Sequence, residues 1–462
     1  MENMIISLLP ILVLIVVLML MKRPAWQAAL AAYVVVIVEA LVQGMPLGSI
    51  AKASLNGAGT GLFPIGLVII AALFVYNVVC ESGHIEVIKS GLAAFSPDMR
   101  FAALMVAWGF GNFMEGMAGF GTAVAIPCAI LVGIGMDPFK AVLCCLVANT
   151  TPTAFGSVGV PSLVLASEAE VDILPLSRCI ATLEFFVTAL SPFFILLICD
   201  GWKGIREKWG LALLADIAFL LPWTLTAFAL GCELPNILGG ICVMLALGLC
   251  GNHSDFKVGE QVKAWSPFIV VVALLGISSV LPKTWRLPSG VIVLCSGIIG
   301  AVMQGLSVKR ICRTFWKTLK KYALAVMTIC IVLSLAKVMG AAGMIDTIAS
   351  GLVASVGSAY PFFAPVVGAL GGFITGSGTS SNVLFGSLQS SIGADCGRSV
   401  LYAAANIMGA GIGKMICPQS IVLGCAASSL SGNESKILTR ALPYFIPVLL
   451  LASVLTYLAS GL

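Results

Sequence analysis

Apolar residues run in continuous stretches along the chain, with almost no alternation of polar and apolar positions. Met4–Met21, Leu62–Val79 and Tyr444–Leu458 are examples. Each approaches the ~20 residues that carry a helix across a hydrocarbon core. Continuous apolarity predicts helices, because a membrane barrel would alternate with period two. The pattern predicts about 12 transmembrane helices, over residues 4–21, 25–42, 62–80, 141–166, 180–200, 211–231, 236–250, 265–281, 290–306, 322–340, 399–430 and 443–461. Two further stretches, 101–135 and 361–395, are interrupted and predict re-entrant hairpins. The fold class is an all-α polytopic membrane protein.

Composition agrees. Of 462 residues, 60% are hydrophobic and 10% charged, against about 25% charged in soluble domains. No basic segment precedes the first run, and Lys22 and Arg23 follow it, which predicts a retained anchor. The net charge is +5, and the basic residues gather at the ends of apolar runs. They read as topology signals, with the lipid bilayer as partner and no nucleic acid. The 15 cysteines lie mostly inside apolar runs, Cys144 and Cys145 side by side, and read as small buried hydrophobes. His84 and His253 are the two histidines, and neither has a neighbouring Cys or acid pattern for a metal. No cofactor is expected. HExxH and GxSxG patterns are lacking, so the chain does not read as an enzyme. No charge ring or repeated carbonyl filter marks a channel.

Lys and Arg mark the cytoplasmic side. The cluster Lys309, Arg310, Arg313, Lys317, Lys320 and Lys321 places that loop inside, as do Lys22–Arg23, Lys89 with Arg100, and Trp202–Lys208. Glu168, Glu170, Asp172 and the Lys283–Arg286 loop then fall outside. Glu39, Glu184, Asp216 and Lys337 lie nearer predicted span ends and read as interfacial.

The chain also resembles itself. Ser82–Leu92 aligns with Ala342–Leu352 at an offset of 260, Gly83 falling on Gly343. The same offset joins Phe113–Gly116 to Phe373–Gly376. A shift of three residues then joins Ala148-Asn149, with Gly156 beyond, to Ala405-Asn406, with Gly413 beyond. The first copy of the short segment carries Lys89, whereas 341–360 has no Lys or Arg, so the copies are expected on opposite sides. This predicts a first inverted repeat at 1–205, two linking helices at 206–262 and a second repeat at 263–462. Inverted repeats are characteristic of secondary transporters, with the site near the midplane.

Both interrupted stretches are rich in glycine and hydroxyls: Gly109–Thr122 and Gly371–Asn382. Non-helical backbone at membrane depth survives only when buried in protein or facing a wet cavity. Glycine lets the chain turn and a ligand approach, and the N–H groups opening a helix favour an anion. Close helix packing is the alternative role of such glycines. The predicted broken helices 141–166 and 399–430 carry Asn149–Gly156 and Asn406–Lys414, where Pro152 and glycines free backbone groups. Candidate substrate-binding residues are Thr122, Asn149, Thr150, Thr151, Ser377, Thr379, Ser380, Ser381, Asn382, Asn406 and Lys414. Two charges stand out at depth. Glu115 reads either as a proton-coupling carboxyl or as a hairpin-tip residue bonded to backbone. Lys414 reads either as the substrate's cation or as a snorkelling inter-helix partner.

At these residues the chain resembles the lactate permease family. Phe110–Gly121 through Ala148–Pro161 and Thr375–Phe385 through Gly413–Ser420 carry the resemblance, with Trp265–Phe268 adding to it, over about a third of the chain. The resemblance implies proton-coupled uptake of L-lactate, D-lactate or glycolate by a multi-pass permease of the bacterial inner membrane. A dicarboxylate carrier, sodium-coupled, is the alternative, and a homodimer is compatible with either. The chain is shorter than familiar members, and Gly378 stands where related sequences often carry an acid.

Overall fold

The computed structural model describes residues 6–17, 21, 23, 25–93, 98–119, 121–251, 258–281, 285, 287–394, 396–430 and 433–461. The described residues are helical throughout, joined by short turns. Six helices among them are long and apolar enough to cross a membrane, or up to eight if each of two bent pairs is one span. Ala25–Val42, Thr122–Gly133, Pro235–Cys250 and Ser289–Met303 are shorter apolar helices. The expected first span, 4–21, falls partly outside the described residues.

Several helices run further than hydropathy predicts. Leu47–Glu81 passes through a kink at Phe63, and Val308–Ala341 is one 34-residue helix. The basic cluster 309–321 is therefore helical and not a loop. Lys and Arg are good helix formers, so the helix continues after the apolar run ends. The segment Trp202–Lys208 is likewise helical, inside Ser191–Ala229. The bend there falls at Asp200–Gly201, where Gly201 takes φ 60, and the turn before it lies at Ala189–Leu190, within the expected span 180–200. Glu184 and Asp216 sit mid-helix and are 1% and 4% exposed, so they are core residues and not interfacial ones. Glu39 is also buried.

Element order repeats. A long helix (Leu67–Glu81), a short one (His84–Ala93), a helical hairpin (Met99–Gly133) and a bent pair (Pro138–Ala169) recur as Val308–Ala341, Met344–Val356, Tyr360–Ala394 and Ser399–Ala427. The bent pairs turn by 55° and 42°.

Glycines set the tightest contacts. Helices Tyr360–Thr375 and Ser399–Lys414 cross with Gly368 and Gly372 on one side and Gly409 and Gly413 on the other. A Cβ at any of the four would enter a backbone carbonyl of the facing helix, those of Asn406, Ala410, Pro365 and Ala369 respectively. Small residues spaced by four let backbones touch where no hydrophobic force separates helix from lipid. A second seam joins the two long helices: Gly57 abuts the backbone of Ser334, and Gly61 that of Cys330. The Ser334 hydroxyl donates to the Ser54 carbonyl there at 2.9 Å.

At the base of the first hairpin, Arg100 donates to Asp98 at 3.1 Å and to Glu207 at 2.6 Å, and Lys208 lies 3.1 Å from Asp98. Partial burial opposes ionisation of Asp98. The bonds from Arg100 and Lys208 outweigh it and hold the carboxyl down at about 2. A carboxyl held low stabilises above its unfolded value near 4 and loses that contribution as pH falls towards 2.

Two outcomes follow. Asp98→Asn should lower the thermal midpoint in detergent at pH 7, and the difference from wild type should shrink steadily as pH falls from about 4 towards 2. Gly409→Ala should destabilise by about 1–3 kcal/mol through overpacking, read by the same melts; an unchanged midpoint would contradict the close crossing.

Candidate functional site

Both hairpin turns and both helix breaks meet at one cavity of about 100 Å³. Cavities for drug-sized ligands run about 300–1,000 Å³, so this one suits a molecule of a few heavy atoms. The first hairpin turns at Gly119 (φ 49) and Gly121 (φ 84), left-handed values that glycine adopts freely. Gly121 and Glu115, six residues before it, reach the cavity wall. The second hairpin turns at Gly376 (φ 67), and Ser377, Gly378 and Thr379 open its second limb on the wall.

The first break follows Asn149. A short 3₁₀ turn, Thr151–Phe155, leads into three left-handed residues, Ser157 (φ 46), Val158 (φ 55) and Gly159 (φ 79). Val158 is β-branched, and such backbone costs roughly 1–3 kcal/mol per residue. The turn brings Ser157 and Pro161 to the cavity. Its neighbours hold it: Asn236 donates to the Pro152 carbonyl, and Trp223 donates to Asn236 at 2.9 Å. The second break follows Lys414, and the helix restarts at Pro418, bringing Gln419, Ser420 and Leu423 to the wall.

An ion pair crosses the cavity. Lys414 Nζ donates to Glu115 Oε1 at 2.8 Å, with side chains 8% and 4% exposed. Asn149 donates to Glu115 Oε2 at 2.9 Å, and Lys414 also reaches the Thr153 hydroxyl at 3.4 Å. A Cβ at Gly156 would lie 2.9 Å from Glu115 Oε1, so that glycine makes room for the carboxylate. Such a pair tolerates burial because each charge is neutralised and hydrogen-bonded, whereas removing one partner costs about 3–5 kcal/mol.

The structure brings together Lys414, Glu115, Asn149, Ser377 and Thr379 from the expected set. The others lie behind this wall or bond within it. Thr122 donates to Gly119 O at 2.7 Å, fastening its own turn. Thr150 donates to Leu146 O at 3.1 Å along its helix, and the buried Thr151 hydroxyl has no partner among the described residues. Ser380 donates its backbone N–H to the Ser377 hydroxyl at 3.3 Å, and Ser381 donates to Gly368 O at 3.2 Å. Asn406 donates to Asn382 at 3.0 Å, and Asn382 to Pro161 O at 2.9 Å. Tyr360 and Gln389 extend this network at 2.8 Å. Asn382 and Asn406 therefore brace the hairpin against both broken helices.

Thr153, Ser157, Gln419 and Ser420 line the cavity without having been singled out from sequence. Pro418 was the available signal for the last two, because proline commonly opens a helix. Nothing local marks Ser157, whose position depends on the left-handed run.

Apolar helices, paired interruptions and a small charged cavity define a class, that of multi-pass membrane transporters. Comparison with known proteins narrows it. A family model described as L-lactate permease matches residues 3–288 and 280–462. The L-lactate permease of Salmonella typhi is 32% identical over 98% of this chain and 95% of its own length. That of Streptococcus iniae is 39% identical over 73% of this chain and 79% of its own. The glycolate permease GlcA of Escherichia coli K12 is 31% identical over 94% of this chain and 91% of its own. The Alcanivorax borkumensis YdaH transporter shares the fold, with TM-score 0.54 and 16% identity over 88% of this chain and 87% of that one. The chain belongs to the L-lactate permease family, and is a transporter and not an enzyme.

Lys414→Ala should abolish uptake and, by leaving Glu115 unpaired, lower stability by about 3–5 kcal/mol. Adding Glu115→Gln should recover much of the stability and none of the uptake. Transport by the folded double variant, measured with labelled substrate in vesicles, would remove Lys414 from the binding site.

Proposed function

We propose that this protein is a secondary active transporter that imports a small monocarboxylate, lactate or glycolate, with a proton, across the inner membrane of a bacterium. The ion pair between Lys414 and Glu115 inside the cavity carries the reading. Family membership, with relatives that are L-lactate and glycolate permeases, supports the substrate class.

The coupling follows from charge. In the empty site Lys414 is neutralised by Glu115. A carboxylate entering alone would leave one excess negative charge in a poorly solvated cavity, which is strongly disfavoured. If Glu115 takes a proton, Lys414 turns to the substrate carboxylate and the site is neutral again. The empty and the doubly loaded site are both neutral, and these are the two states free to cross. Ser377, Thr379, Ser157 and Ser420 stand where a 2-hydroxyl could bond. One lysine and a small cavity favour a monocarboxylate over a dicarboxylate.

In this reading about 12 helices form two inverted repeats. Each hairpin dips into the membrane and moves with its broken helix against the long helices, giving alternating access. The recurring element order and the meeting of both hairpins at one cavity support it.

Proteoliposomes test the coupling. An inward proton gradient, and not a sodium gradient, should drive accumulation of labelled lactate, with glycolate competing and succinate not. Glu115→Gln, a standing mimic of the protonated acid, should retain lactate exchange while losing accumulation driven by the gradient. Full accumulation by that variant would sink the mechanism.

A further inference from the structure

A second polar cavity, of about 280 Å³, lies between the end of helix Leu67–Glu81 and helix Val308–Ala341, away from the transport site. Thr314, Lys317, Thr318 and Lys321 line it from one face of the long helix, at the three- and four-residue spacing of neighbouring turns. Asn77 and Glu81 line it from the other helix. Its floor is polar and buried. Thr318, 1% exposed, accepts from Asn77 at 2.8 Å and donates to Thr314 O at 2.8 Å. Thr314 is 3% exposed, and its hydroxyl has no hydrogen-bond partner among the described residues. Buried hydroxyls in that state call for a partner.

The rim is cationic. Lys317 and Lys321 are exposed, and Arg310 lies 3.6 Å from Glu81. Glu81 also stands 3.9 Å from Lys317. Glu81 thus faces two cations and Lys321 lines the same recess, leaving an excess of positive charge over a floor that includes hydroxyl and amide groups. Towards its apolar end, beyond the rim, the same helix exposes Leu324 and Met327. A basic recess that opens onto lipid-facing apolar surface matches an amphiphile with an anionic head.

We infer that this cavity binds the phosphate of an anionic phospholipid at the cytoplasmic interface. The phosphate oxygens accept from Lys317, Lys321 and the Thr314 hydroxyl, and the acyl chains lie along Leu324 and Met327. The lipid would hold the inner ends of the two long helices together.

The test uses the full-length protein, purified and delipidated in mild detergent. Its thermal midpoint is followed as phosphatidylglycerol, phosphatidylcholine or inorganic phosphate is added. Binding to the folded state raises the midpoint with ligand concentration. Phosphatidylglycerol should raise it by about 3 °C or more, and the other two should not. Lys317→Gln with Lys321→Gln should weaken the response at least tenfold in lipid concentration, and Thr314→Val should weaken it less. Lys309, Arg310, Arg313 and Lys320 remain to hold the orientation. An equal response to phosphatidylcholine, a response to inorganic phosphate, or an unchanged response in both the double variant and Thr314→Val would overturn the proposal.

Discussion

The bond between Glu115 and Lys414 is the constraint on which the interior depends. Two charges 299 residues apart lie in a membrane protein's core, where each is costly without the other. Each sits beside an interruption, Glu115 before a hairpin turn and Lys414 at a helix break. The first hairpin and the second broken helix must therefore hold register to a fraction of an ångström. Asn149 and Thr153 link the pair to the first break, so three elements share one electrostatic centre.

Glycine makes that register achievable. The four-glycine crossing between Tyr360–Thr375 and Ser399–Lys414 brings two backbones into contact directly behind Lys414. At Gly411 a Cβ would run into the Thr150 carbonyl, so the first break also seats on glycine. Interrupted backbone inside a bilayer must find hydrogen bonds in the protein. Here asparagine and glutamine side chains supply them: Asn236 to Pro152, Asn382 to Pro161, Gln389 to Ala364. These amides lock the supporting elements, and the hydroxyls left on the cavity wall can meet a ligand. The strained turn at Ser157–Gly159 persists because this surround determines it.

Much of the fold was legible along the chain. Continuous apolar runs must be helices, because lipid offers the backbone no hydrogen bonds. Pro152 and the glycines at 119, 121 and 376 mark true interruptions. The break expected within Asn406–Lys414 instead falls after Lys414, because Gly409, Gly411 and Gly413 stay helical and serve close packing. Helix ends were less legible. Hydropathy reports where the apolar surface stops, and Leu47–Thr60 and the basic turns after Val308 stay helical beyond it.

The sequence by itself determined the lipid environment, the glycine-rich and proline-bearing interruptions, and that Glu115 and Lys414 lie deep; it set Glu184 and Asp216 at span ends, where the structure buries them as well. These follow from local chemistry, from the cost of placing each residue in lipid and each backbone conformation it allows. Only the tertiary structure decided which polar groups face the cavity. Asn382 and Asn406 turn to each other, Thr122 to its own turn, and Ser157 and Gln419 arrive from the far side of their breaks. A side chain's direction at a break depends on bends and close contacts between segments hundreds of residues apart, and no local pattern encodes those.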